Sequence, residues 1–178
     1  MKKTIFPVLL IIIIKVHAQS IQINPSGSPE SSYTPDQLVS NVFADGCSNV
    51  GNFSIQYGQN AQNSPSDVST PPTIFGDSFG YFTAPNGNFP IDEGIILSTG
   101  IAKEAEGGNN SIGNTGYENP SYPWPGDADL EEILNVNFGN TAPTREATVF
   151  EFDFVPLIDN VSFDYVFASE EWNASNAG

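Results

Sequence analysis

Hydrophobic and polar positions along the chain change period from segment to segment, and each change predicts an element. Behind Lys2 and Lys3 runs an unbroken apolar stretch from Ile5 to Ile14, closed by Lys15 and the small-residue pattern around Ala18. A membrane span needs about 20 apolar residues, so this run is too short and predicts instead a removable signal peptide over residues 1–18. Residues 19–32 are polar, rich in Ser and Pro, and predict a flexible lead-in. Thr34-Pro35-Asp36-Gln37 then supplies an N-cap hydroxyl, a first-turn proline and a Gln three residues after the cap. Leu38, Val39 and Val42 follow on one helical face, and Asp45-Gly46 ends a short helix.

From Val50 the period falls to two. Phe53, Ile55 and Tyr57 alternate with polar neighbours, which predicts a half-buried strand. Short apolar runs at Phe79–Phe82 and Gly94–Thr99 predict further strands, separated by long polar loops over 58–73 and 103–127. Asp127 to Leu134 concentrates acid in the first turn of a helix whose inner side would be Leu130, Ile133 and Leu134. Two alternating segments close the series. Phe150, Phe152 and Phe154 predict one strand, Val161, Phe163, Tyr165 and Phe167 another, and the turn residues of 156–160 predict that they pair as an antiparallel hairpin. The fold class expected is mainly β, a β-sandwich of jelly-roll type with one or two short helices. A single domain over 33–178 accounts for these elements. The chain reaches Gly178 without a closing strand, so the sandwich is expected to be incomplete at its C-terminus, the front part of a longer protein.

Charge narrows the function. Removing residues 1–18 takes away three of the four Lys residues and the single His, leaving Lys103 and Arg145 against 21 acidic side chains. Such a surface repels nucleic-acid phosphates and anionic lipid, and it attracts divalent cations. With no imidazole left, His-based catalytic triads and His-ligated zinc are excluded. Cys47 is the sole cysteine. In an exported protein it is read as a buried thiol, or as half of a disulfide whose partner lies outside this chain.

Several motifs resemble one family. They are Tyr33-Thr-Pro-Asp-Gln-Leu-Val39, Gly94-Ile-Ile-Leu-Ser-Thr-Gly100, Gly126-Asp-Ala-Asp-Leu130, Glu151-Phe-Asp-Phe-Val-Pro156 and Phe163-Asp-Tyr-Val-Phe-Ala-Ser-Glu-Glu-Trp172. In order and content the series resembles the choice-of-anchor L domain family. The resemblance implies a large exported bacterial surface protein of Bacteroidetes type, in which the domain precedes varied sorting or anchoring signals. It also implies a further strand-rich stretch and a distal cysteine able to partner Cys47. It implies no enzymatic activity.

Candidate chemistry is acidic. Asp127, Asp129 and Glu131, with neighbouring Glu132, form the best calcium candidate, since hard cations collect carboxylate oxygens from a short segment. The EF-hand pattern fails there, because Glu132 stands where that loop requires Gly. An acid-rich helix start stabilised by the helix dipole is the competing reading. Glu170 and Glu171 are the second metal candidate. They also raise the carbohydrate-active alternative, although glycosidic carboxylates face each other across about 5–10 Å and strand neighbours point to opposite faces. Tyr117, Tyr122 and Trp124 supply aromatics that could stack on sugars or simply pin their loop. Asn52, Asn109, Asn160 and Asn173 match the glycosylation triplet, a weak signal. The expectation is a non-enzymatic secreted or cell-surface module for adhesion or recognition of a glycan or protein, with calcium as its candidate cofactor and no nucleic-acid partner. The alternative is a carbohydrate-active enzyme or its accessory domain.

Overall fold

The computed structural model describes residues 21–59, 61–62, 75–87, 89–106, 124–139 and 141–168. The fold is mainly β, and its strands all pair antiparallel. One sheet has the order β1 (Gln22–Ile23), β5 (Phe79–Thr83), β6 (Glu93–Leu97). A second pairs β2 (Ser48–Gln56) with β7 (Val149–Pro156), and a short ribbon pairs β3 (Ala61–Gln62) with β4 (Phe75–Gly76). The helices are α1 (Pro35–Leu38), which widens into a π turn over Val39–Phe43, and α2 (Ala128–Phe138).

β5 is the central element, and its sequence explains why. Phe79-Gly80-Tyr81-Phe82 is apolar without alternation, the pattern of a strand covered on both faces. Phe79 and Tyr81 point toward the second sheet and pack with Leu38, Tyr57, Ile95 and Phe150. The ring of Phe79 lies 4.7 Å from Tyr57 and 5.6 Å from Phe150, centroid to centroid, so one side chain joins the two layers of the sandwich. Phe82, on the other face, packs with Ile23 and Ala102. Tyr81 is buried, and its hydroxyl donates to the Glu93 carboxylate. Burial first, then Glu93, pushes the phenol pKa far up, so it remains a neutral donor.

A hydroxyl chain stitches the layers where the strands converge. Thr148 Oγ1 donates to the Ser98 carbonyl at 2.6 Å, so its contact with Ser78 Oγ at 2.6 Å must be donated by Ser78. Ser78 Oγ in turn accepts the Gly58 N–H at 2.8 Å. Every capacity of the fully buried Ser78 hydroxyl proton is thereby used. Ser78→Ala is expected to lower unfolding free energy by about 1–3 kcal/mol, because it leaves the Gly58 N–H without its acceptor. Chemical denaturation of the two chains measures this, and an unchanged midpoint would show that water replaces the hydroxyl.

Three expectations need correction. Residues 19–32 were expected to be flexible, yet Gln22 and Ile23 pair with Thr83 and Phe82, Ile23 is fully buried, and Pro29–Ser32 forms a 3-10 turn. One isoleucine with a distant strand partner leaves no local period to read. The predicted hairpin does not form: β7 pairs with β2, which brings Phe150 opposite Ile55, and residues 160–168 join no strand. Alternation reports an apolar face and says nothing about the neighbour. Phe163, Tyr165 and Phe167 are accordingly exposed, with Phe163 touching Phe43. Finally, Leu130 and Ile133 do not line an inner face of α2, since both are about half exposed, and only Leu134 is partly covered.

The expected short helix and the strand from Val50 hold locally, while the loop expected over 58–73 contains the short strand β3. The Thr34 N–H donates to Gln37 Oε1 at 3.0 Å, Leu38 and Val39 are buried, and Gly46 takes a φ of 69° at the end of the segment. The expected alternation of Phe53, Ser54 and Ile55 begins at a bulge, where Asn52 and Phe53 together oppose Phe152. Asn52 has a left-handed φ of 51° there, and its side-chain amide donates to Asp153 at 2.7 Å.

Candidate functional site

The acid-rich segment before α2 is described in full. Asp127 is the N-cap: its carboxylate accepts the Leu130 N–H at 2.8 Å, which satisfies one of the donors a helix start leaves open. Asp129 stands exposed in the first turn, where its charge complements the helix dipole. Glu131 Oε1 accepts the Thr144 N–H at 2.9 Å and contacts Thr144 Oγ1 at 3.0 Å. Thr144 Oγ1 accepts the Asp127 N–H at 2.8 Å, and its single proton is shared between the Glu131 carboxylate and the Asp127 carbonyl, 3.2 Å away. Asp127 and Glu131 therefore fasten the helix start to the loop that leads into β7. Gly139, with φ 63°, closes the helix in a left-handed cap.

Polar bonds tie the same segment to the second sheet. Gln56 Nε2 lies 3.1 Å from the Pro125 carbonyl and 3.0 Å from those of Gly126 and Ala147. Trp124 donates its indole N–H to Ala147 at 3.2 Å and lays its ring over Gly58, where a Cβ would stand 2.7 Å from ring carbons. Trp124 is thus a pin and not a free stacking platform. Sequence reasoning did not find Gln56, Thr144 or Glu146. Glu146 is 6% exposed and has a φ of 57°, and the local pattern carries no mark of it.

Among the described residues, no three Asp, Glu, Cys or His side chains gather closely enough to hold a metal ion. Cys47 is half-buried and its thiol donates to the Ala44 carbonyl at 3.4 Å. Glu170, Glu171, Tyr117, Tyr122, Asn109, Asn173 and the expected signal peptide lie outside the described residues. Among the described residues, no helix is long and apolar enough to cross a membrane.

The acidic segment and both sheets fall inside one family match. The model of the choice-of-anchor L domain matches residues 23–178, beginning at the buried isoleucine of β1. No curated protein and no solved structure matches the chain. The match covers most of the sequence, so this chain belongs to the choice-of-anchor L domain family, a family of extracellular or surface-anchored proteins.

Proposed function

We propose that the chain is a non-enzymatic recognition module, acting outside the cell in adhesion to a glycan or protein. Family membership is the observation that carries this reading. The hydrogen bonds of the acidic segment support it, because Asp127 and Glu131 are engaged in holding α2 and are not poised across a substrate. Calcium is not required in this reading: Glu131 already commits one carboxylate oxygen, Oε1, to the N–H and hydroxyl of Thr144. The carbohydrate-active alternative loses Trp124, which is pinned against Gly58, and draws its motive from Glu170, Glu171, Tyr117 and Tyr122.

Binding and turnover are measured together to test this. The exported chain is passed over a panel of immobilised polysaccharides and surface proteins, with calcium and with chelator, and soluble products are assayed. Retention without product release is the expected result. Release of sugar from any polysaccharide, abolished by Glu170→Gln or Glu171→Gln, would overturn it in favour of the enzyme. A melting temperature that rises with calcium would restore the cation as a cofactor.

A further inference from the structure

β1 is the least supported element of its sheet by length, since only Gln22 and Ile23 take part in its ladder. Its outer edge is held by side chains. Ile23 N–H donates to Glu106 Oε1 at 2.6 Å, Lys103 Nζ donates to the Ile23 carbonyl at 2.7 Å, and Lys103 meets the same Glu106 oxygen at 2.5 Å. Both backbone groups that a further strand would have paired are therefore bound by one charged couple. The couple is mounted on a 3-10 turn, Ala102–Ala105, whose Ala102 lies under Ile23 in the core. Lys103 is half exposed while the backbone it binds is not, so the lock is reachable from solvent.

We propose that the amino-terminal strand is a releasable strap: Lys103 and Glu106 lock it by binding both backbone groups of Ile23, and loss of the Lys103 charge opens it while the rest of the sheet stays folded. Physical reasons favour local opening. Neutralising Lys103 leaves the Ile23 carbonyl without its donor and Glu106 without its counter-charge, in a strand that a two-residue ladder and the bonds between Asn24 and Tyr81 tie to β5. β5 keeps its five-residue register with β6 and its aromatic packing on the second sheet. Opening would bare the outer edge of β5 beside Phe82 and Ala102, an unpaired strand edge next to an apolar hollow.

Native-state hydrogen exchange of the full chain, resolved by residue, tests the strap. In the wild type, the Ile23 and Asn24 amides are expected to exchange about tenfold or more faster than those pairing β5 with β6, the behaviour of a locally opening unit. Lys103→Met should accelerate Ile23 and Asn24 by about a further tenfold without moving the β5–β6 amides, and Lys103→Arg should restore protection. Equal protection of β1 and the β5–β6 pair in the wild type would overturn the proposal, as would acceleration of both together in Lys103→Met. If Lys103→Met does not fold, the wild-type profile alone decides.

Discussion

Phe79→Ala is expected to lower the free energy of unfolding by about 3–5 kcal/mol. The ring is 8% exposed and touches Tyr57 just past β2, Phe150 of β7 and Leu38 on α1. Its removal opens a cavity between sheets, which cannot collapse without breaking the register of β5 with β6. Against a total stability of about 5–15 kcal/mol, such a loss brings the chain close to half-unfolded in mild denaturant. Phe154→Ala is the control. That ring belongs to β7 and to the same alternating pattern, yet it is 53% exposed, so its loss is expected to cost under about 1 kcal/mol. Urea unfolding followed by circular dichroism compares the two, and equal shifts would mean that the core lies elsewhere.

That contrast shows what the sequence could and could not disclose. Local periods identified most strands, the capped start of α1 and the acid-rich start of α2, because each depends on residues a few positions apart. Even the double burial of β5 is written in its unbroken apolar run. Partners were not legible. β2 and β7 are about a hundred residues apart, and nothing in Phe150, Phe152 and Phe154 distinguishes Ile55 from Val161 as a neighbour. Ile23 was hidden for the same reason. The acidic segment was found by composition, but its use was decided by Thr144, a residue whose role depends wholly on where the chain returns. Composition located charge, and tertiary structure assigned it.

The return of the chain at Thr144 also makes Gly126 irreplaceable. A Cβ on Gly126 would overlap the carbonyl and the hydroxyl of Thr144, and neither can step aside. Thr144 is held by Glu131 and by the Asp127 N–H, while Pro125 and Arg145 form a bridge on either side of the contact. Gly126 needs no unusual φ, so the requirement is for space alone. Gly126→Ala is therefore expected to cost about 3 kcal/mol, the upper range of overpacking, since backbone must move. The strain has a predictable outlet: residues 124–127 lift from Gln56, and Trp124 leaves its seat on Gly58. In a Trp172→Phe background Trp124 is the sole indole, so its emission should shift to longer wavelength in Gly126→Ala while the far-ultraviolet spectrum is kept. Gly51→Ala is the matched control, with open space where its Cβ would go and an expected change within about 0.5 kcal/mol. If Gly126→Ala melts with the wild type and Trp124 emission stays fixed, Thr144 is not anchored by the acidic segment, and Asp127 and Glu131 are free to serve a ligand after all.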